Sequence, residues 1–122
     1  MRYATLMYAV PAETEAMSDA DLAAVARKHE ALRQELTASG ELVGGSGLAL
    51  PDETIVLRLD RDGTAVATDG PLAVDATEHL TAYYEIDCET IERAREIAAR
   101  LLDDHVTSVE LRRIHDAVDF YS

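Results

Sequence analysis

The sequence predicts one α+β domain in which two helices cover a single face of an antiparallel sheet. Two long segments carry apolar residues at the three-and-four spacing of a helix, and each lies between runs rich in β-branched and aromatic residues. An Asp-Gly pair between two short apolar runs predicts a hairpin in the middle of the chain. The length of 122 residues fits a single domain over residues 1–122, since domains commonly contain about 100–150 residues.

The composition is strongly acidic and excludes several classes of partner. Eleven Lys and Arg residues stand against 24 Asp and Glu, which gives a formal net charge of −13. This charge repels nucleic-acid phosphates and anionic membrane surfaces. No apolar run approaches the roughly 18 residues of a membrane span. A lone cysteine, Cys88, excludes an internal disulfide framework, so we expect a cytoplasmic protein.

The first half of the chain contains a strand and the longest predicted helix. Residues 2–10 are predicted as the strand and residues 11–17 as a polar connector. Ser18 is expected to cap the helix, which ends at Ser39-Gly40 because glycine supplies the left-handed conformation after the last turn. Its predicted stripe comprises Leu22, Val25, His29, Leu32 and Leu36.

The rest of the chain contains five predicted strands and a second helix. We predict strands over residues 42–51, 54–60, 64–68, 79–87 and 106–114, with a type I′ turn at 61–63 joining the second and third of these. Asp87 is expected to cap a helix that runs to about residue 104, with i,i+4 ion pairs Glu89–Arg93 and Glu96–Arg100. Its predicted stripe comprises Ile91, Ala94, Ala98 and Leu101, with Ile97 and Leu102 beside it. The tail 115–122 is left unassigned.

The order β-α-β-(hairpin)-β-α-β describes a ferredoxin-like sandwich. Its sheet has one face free of helices, which is open to water unless a second copy covers it. The first strand is apolar on both sides, so the pattern leaves open which of its sides meets the helices. A strand apolar on both sides is typically covered on both, so we expect a homodimer in which two sheets face each other.

Alternation along the strands predicts the side chains of the helix-free face. If the apolar residues of the strand 79–87 and of the last strand meet the helices, the second face carries His79, Thr81, Tyr83, Glu85, Glu110 and Arg112. This face is then the expected cleft for a small molecule. Tyr83 would donate to a developing oxyanion and His79 would move a proton. The alternative is that both residues pack a dimer interface.

Two further residues are candidates for catalysis. His29, on the helix stripe, is either a packed histidine or a general acid/base tuned by burial. Asp69 either hydrogen-bonds the backbone of its own turn, before Gly70 and Pro71, or acts as an orienting or proton-accepting carboxylate.

Substrate binding has three candidates. Arg112 and Glu110 would hold a carboxylate-bearing ligand, or else form ion pairs with strand neighbours or a partner subunit. Ser46, in the Gly-rich strand, is the third candidate. That strand lacks the Gly-Lys-Ser/Thr ending of a phosphate loop. The four histidines show no metal-ligand spacing, so no metal site is expected.

Several segments, taken in order, resemble one known family. Asp69-Gly70-Pro71-Leu72 resembles a DGPF signature, with Leu in place of Phe. Leu42–Leu48 resembles the Gly-rich second strand of that family, and Val109–Arg112 its terminal V-E-V-R strand. Leu80–Tyr84 resembles its L-G-G-Y-Y strand without the two glycines, and Asp75–Glu78 replaces a Thr-Lys-Glu segment without the lysine. The sequence is therefore similar to the YCII-related (YciI-like, DGPF-domain) family of dimeric α+β-barrel proteins.

The resemblance implies a dimeric barrel with a cleft in each subunit and proton-transfer chemistry by acidic and histidine side chains. It also implies relatives that act on ring compounds without a cofactor. We therefore expect a cofactor-free, isomerase- or lyase-like enzyme acting on a small anionic or aromatic molecule in the cleft on the helix-free face. The alternative is a non-catalytic dimeric module that binds a small molecule or serves as an accessory protein.

Overall fold

A computed structural model describes residues 1–115, and its elements follow the predicted order with one short helix added. The elements are β1 (Arg2–Ala9), α1 (Pro11–Glu15), α2 (Asp19–Ala38), β2 (Leu42–Gly47), β3 (Ile55–Leu59), β4 (Ala65–Asp69), β5 (His79–Asp87), α3 (Ile91–Arg100) and β6 (Ser108–Arg113). The added helix, α1, lies in the predicted polar connector and begins with Pro11, whose fixed φ suits a first helical turn. Most of the unassigned tail, residues 116–122, lies outside the described part of the chain.

Four of the described strands form one antiparallel sheet in the order β2-β5-β1-β6. The central strand β1 pairs with β5 on one side and with β6 on the other. Strands β3 and β4 form a separate two-stranded sheet. The predicted α+β arrangement is therefore confirmed, with the hairpin standing apart from the main sheet. No helix among residues 1–115 has both the length and the apolar character needed to cross a membrane.

The facing of β1, which the pattern left open, is decided by burial. Tyr3, Thr5 and Met7 are buried in the core, whereas the alternating residues are only partly buried. The cross-strand partners of these three residues are Ile86, Tyr84 and Ala82 in β5. Because paired residues lie on the same side of a sheet, this side faces the helices. The helix-free face of β1 therefore carries Arg2, Ala4, Leu6 and Tyr8.

Helix α2 begins and ends as predicted. Ser18 forms a capping box with Asp21, and Gly40 takes a positive φ of 78° after the last turn. The predicted stripe packs only in its second half, because Leu32 and Leu36 are buried while Leu22 is 40% exposed. His29 lies between these two parts, and its side chain is largely buried.

Helix α3 differs from its prediction at both ends. Its N-cap is Thr90, whose hydroxyl accepts from the backbone N–H of Arg93, and it ends at Arg100. Asp87, the predicted cap, instead binds the N-terminal amine at 3.1 Å. Asp87 is the last residue of β5, and because its carboxylate binds the N-terminal amine it does not cap the helix. Ala94, Ile97, Ala98 and Leu101 are buried as predicted, whereas Ile91 and Leu102 are exposed.

In place of the predicted ion pairs, Arg93 and Arg100 of α3 bind carboxylates of other elements, and Arg93 also binds Glu96 along the helix at 2.8 Å. Arg93 binds Glu41 through two nitrogens, at 2.8 and 2.9 Å, and Arg100 binds Glu35 of α2. The guanidinium of Arg93, with help from the Ser39 hydroxyl, lowers the pKa of Glu41 to about 2. A two-point arginine–carboxylate pair is stronger than a pair along one helix, which explains the choice of partner. These contacts fix α3 against α2 and the start of β2.

The hairpin β3–β4 is confirmed, but its turn is not type I′. Gly63 has a positive φ of 78°, and no residue other than glycine has a positive φ in residues 1–115. The carboxylate of Asp60 accepts from the backbone N–H of Asp62 and of Thr64, at 2.9 and 3.0 Å. This side chain closes a longer loop, so Asp62 does not need the positive φ that a type I′ turn requires.

A β-bulge in β5 reverses the predicted facing of its first residues. Met7 lies opposite Ala82, but the next residue, Tyr8, lies opposite Leu80, so Thr81 is an extra residue. Leu80 therefore shares the helix-free side with Tyr8. His79 lies opposite Ala9, which is buried on the other side. The expectation that His79 and Thr81 share a face with Tyr83 is wrong, because strict alternation fails at the bulge.

Candidate functional site

A pocket of about 320 Å³ lies on the helix side of the sheet, between α2 and the strands β2 and β5. Helix α2 contributes His29 and Arg33, which are four residues apart and therefore lie on the same face of that helix. The remaining lining residues are Met7, Val25, Gly45, Ser46, Gly47, Leu48, Thr81, Ala82, Tyr84, His105 and Val106. The volume is at the lower end of the range for small-molecule sites.

His29 forms an ion pair or hydrogen bond with a carboxylate beside this pocket. Its Nε2 lies 3.2 Å from Oδ2 of Asp103, and both side chains are largely buried. Because an ionised carboxylate only accepts, Nε2 carries the proton and Nδ1 is left as an acceptor. Nδ1 is buried and has no hydrogen-bond partner among residues 1–115. Such an atom costs about 1–3 kcal/mol, and most proteins avoid it.

Burial lowers the pKa of His29 below its ordinary value of 6.5, although the nearby charge of Asp103 opposes this effect. The positive charge of Lys28 adds to the lowering, as does the neighbouring His105 ring. His29 is therefore neutral at pH 7, which is the state that a general base needs.

Asp103 is held by four donors. Its Oδ1 accepts from the backbone N–H of His105 and of Val106, at 2.8 and 2.6 Å. Its Oδ2 accepts from Lys28 Nζ at 3.3 Å as well as from His29. Burial alone would raise the pKa of Asp103, but the backbone hydrogen bonds and the Lys28 charge outweigh it and hold the pKa below its usual value. Asp103 is thus an ionised, fixed partner that orients the His29 ring.

A second histidine lines the same pocket. His105 Nδ1 lies 3.0 Å from the hydroxyl of Thr14 in α1. This contact ties the loop before β6 to the short helix that follows β1. The loop reaches α2 because β6 begins beside the end of β1, where Ser108 lies opposite Tyr8.

Two hydrogen-bond donors complete the polar part of the pocket. Burial raises the pKa of Tyr84, and the Arg33 guanidinium lies close enough to oppose this shift. The Tyr84 hydroxyl therefore stays protonated at pH 7 and lies near Arg33. Ser46 also lines the pocket, and its hydroxyl donates to the Gly45 carbonyl at 2.8 Å. A base, a guanidinium and a phenol thus surround one small cavity.

The other predicted site residues lie elsewhere. Tyr83, Glu110 and Arg112 are on the helix-free face, as expected, because they lie opposite Leu6 and Ala4 of β1. Groups on this face interact with one another. Arg2 binds Glu85 at 3.2 Å, and a hydrogen bond to Glu110 raises the pKa of Tyr8. His29 lies on the opposite side of the sheet, so it does not share a site with Tyr83 within one chain.

Asp69 and His79 occupy a third region. Asp69 is the exposed last residue of β4, opposite Ile55. His79 Nε2 lies 2.9 Å from the carbonyl of Ala76, and His79 borders a mostly apolar groove of about 540 Å³ that is lined by the segments before and after the hairpin. The four predicted catalytic residues therefore do not converge in the chain, and whether any of them is catalytic stays a prediction.

Sequence reasoning missed Asp103, which lies beside the pocket, and two residues that line it, His105 and Arg33. A signal for the first two is the sequence Asp103-Asp104-His105 directly before the last strand. In a β-α-β-β-α-β fold this loop lies beside the end of the first strand, and hence near the helix that follows it. Arg33 is one helical turn after His29. In residues 1–115 no group of three or more His, Cys, Asp or Glu side chains is placed to hold a metal ion.

The fold and the pocket together define a small α+β protein with a histidine–carboxylate pair beneath the helices. The YCII-related domain model matches residues 1–114, so the chain belongs to the YCII-related family. A search of curated proteins found no match.

Proposed function

We propose that this protein is a cofactor-free enzyme that transfers a proton on a small organic molecule, in an isomerase- or lyase-type reaction, with His29 as the general base. The observation that carries the proposal is the His29–Asp103 pair beside a pocket, with Nδ1 of His29 left as an acceptor without a partner in residues 1–115. Family membership agrees with the proposal but names no reaction.

The proposed mechanism uses groups that surround the pocket. Nδ1 of His29 accepts a proton from the substrate, and the imidazolium that forms is stabilised by the Asp103 carboxylate. The Tyr84 hydroxyl and the Arg33 guanidinium stabilise the negative charge that develops on a substrate oxygen. Because protein atoms cover Nδ1 in the free chain, a small movement of the pocket wall accompanies substrate binding.

This proposal moves the cleft from the helix-free face to the helix side of the sheet. His29 and its carboxylate partner both lie there. The helix-free face, with Tyr83, Glu110 and Arg112, is then assigned to a homodimer interface, which we propose together with a cytoplasmic location.

The second candidate is a non-catalytic dimeric module that binds a small molecule or acts as an accessory protein. It is favoured by the dispersal of Asp69, His79 and Tyr83 over separate regions of the chain. In this case the pocket binds a ligand without transferring a proton.

Deuterium exchange distinguishes the two candidates. The protein is incubated in D₂O with a panel of small 2-oxo acids, ketones and phenols, and incorporation at carbon is followed by NMR. We expect the wild type to accelerate exchange in at least one compound and His29→Gln to lose about 10²–10⁴-fold of that rate.

His115→Gln is the matched control, because His115 is exposed and lies outside the pocket. It should exchange at the wild-type rate. The enzyme proposal fails if no compound exchanges faster than in buffer, or if His29→Gln exchanges as fast as the wild type.

A further inference from the structure

Arg33 is the cation of the pocket, and it has no partner in the described part of the chain. Within residues 1–115 its guanidinium makes no ion pair or hydrogen bond. Lys28, Arg93 and Arg100 bind carboxylates, whereas exposed arginines away from the pocket, such as Arg27 and Arg95, also form no ion pair within residues 1–115. The distinguishing feature of Arg33 is its position, because it is exposed and lines the pocket, and none of the ion pairs within residues 1–115 neutralises it.

The surroundings of Arg33 favour an anion. The charge of Glu30 contributes to the raised pKa of Tyr84, but Glu30 accepts from Gln34 Nε2 at 3.2 Å and does not line the pocket. The Asp103 carboxylate is occupied by His29, Lys28 and backbone N–H groups. The charge of the guanidinium is therefore available at the pocket mouth.

The rest of the wall is suited to an apolar body. Met7 and Val106 are buried core residues, and Val25, Leu48 and Ala82 add further apolar surface. The cavity of about 320 Å³ admits only a small molecule. One guanidinium matches one carboxylate through two parallel hydrogen bonds, whereas a phosphate dianion in so acidic a chain requires additional cations.

We propose that the pocket binds a small organic carboxylate, with its carboxylate on Arg33 and its apolar body against Met7, Val25 and Val106. This assigns to Arg33 the anion-binding role that the sequence suggested for Arg112. This proposal names the substrate class for the proposed function. Only one part of it, the position of the reacting carbon beside His29, rests on that function. It also explains the position of Arg33 one turn from His29, which places the charged end and the reacting centre of one small molecule at adjacent sites.

The test measures binding without turnover. Benzoate and its neutral isostere benzamide are titrated separately into the ¹⁵N-labelled full-length protein, and backbone amide shifts are followed. We expect benzoate to shift the amides of residues around the pocket and to bind more tightly than benzamide. Arg33→Met should weaken benzoate binding about tenfold to hundredfold while leaving benzamide binding unchanged, since only the charge-assisted contact is lost.

Arg27→Met is the matched control, because Arg27 is an exposed residue on the same helix that does not line the pocket. It should bind benzoate as the wild type does, and thermal melts should confirm that both variants are folded. The proposal is overturned if benzoate and benzamide bind equally, if Arg33→Met binds benzoate normally, or if inorganic phosphate binds more tightly than benzoate.

Failure of this proposal is separable from failure of the proposed function. His29→Gln should retain benzoate binding through Arg33, and loss of that binding would contradict the assignment of the carboxylate to Arg33. If benzoate binding depends on Arg33 but no compound exchanges deuterium, the enzyme proposal fails and the protein is a carboxylate-binding module. Exchange without preference for anions would leave an enzyme whose substrate is uncharged.

Discussion

The chemistry of His29 depends on a residue far away in the sequence. Helical spacing placed His29 on the apolar stripe of α2, and it left a packed histidine and a general base as alternatives. The structure adds Asp103, in the loop before β6, at 3.2 Å. Periodicity within one helix cannot reveal such a contact, because the partner is brought in by the pairing of β6 with β1.

We predict that His29 titrates below pH 6.5, because burial disfavours its charged form. Replacing Asp103 by Asn should lower the pKa further, since the Asp103 charge favours the imidazolium. The measurement is an NMR titration of the His29 ring protons. A pKa at or above 6.5 in the wild type, or a higher pKa in Asp103→Asn, would contradict this account.

The same shift gives a pH dependence of stability. As the pH falls below 6.5, the unfolded chain binds a proton at this position before the folded chain does, so the free energy of unfolding decreases until the folded pKa is passed. The decrease should be smaller in His29→Gln over that window. Denaturant unfolding of both proteins between pH 7.5 and 5 checks the difference.

At the level of the elements, the sequence predicted which segments form helices and strands but not their irregularities. The α2 cap and its Gly40 end followed from residue types with strong local preferences. Sequence patterns did not predict the cap of α3, the hairpin turn or the ion pairs of Arg93, because in each case a side chain binds a different partner from the expected one. Asp87 binds the N-terminus, Asp60 closes its own loop, and Arg93 prefers Glu41.

Strand β2 supplies a prediction at this scale. A Cβ on Gly45 would overlap the Tyr84 ring and the Tyr83 carbonyl oxygen, so the strands can pair closely only with glycine there. Gly45→Ala should destabilise the protein by roughly 2 kcal/mol or more, which is the size of a core steric clash. Chemical denaturation measures the change.

Gly47→Ala is the matched control, because an added Cβ at Gly47 meets nothing within 4 Å. Its free energy of unfolding should change by less than about 1 kcal/mol. Equal stability of the two variants would show that the close approach at Gly45 is not required.

At the scale of the whole molecule, the sheet leaves one face without helices. In residues 1–115 this face combines apolar residues such as Leu6 with paired charges such as Arg2 and Glu85, and Tyr83 is 39% exposed. The order of elements and the existence of this face followed from the sequence. The location of the pocket did not, since it required knowing which side of β1 meets the helices.

We predict that the protein is a homodimer through this face. Sedimentation at micromolar concentration should give twice the chain mass of 13.3 kDa. Leu6→Arg should weaken association more than about hundredfold, because it places an unpaired charge in each half of the interface. Leu22→Arg, on the exposed start of α2, should leave the dimer intact. A monomeric wild type, or a dimeric Leu6→Arg, would remove the interface from this face.

The extra residue in β5 has a consequence for how such a chain can change over time. Because Thr81 is an extra residue without a partner in β1, the alternation of side chains between the two faces of the sheet reverses at this position. A single inserted or deleted codon at this position would exchange His79 and Leu80 between the two sides while leaving Tyr84 and Ile86 in place. Chemistry at the hairpin end of the strand can therefore be remodelled without disturbing the core that supports the His29 pocket.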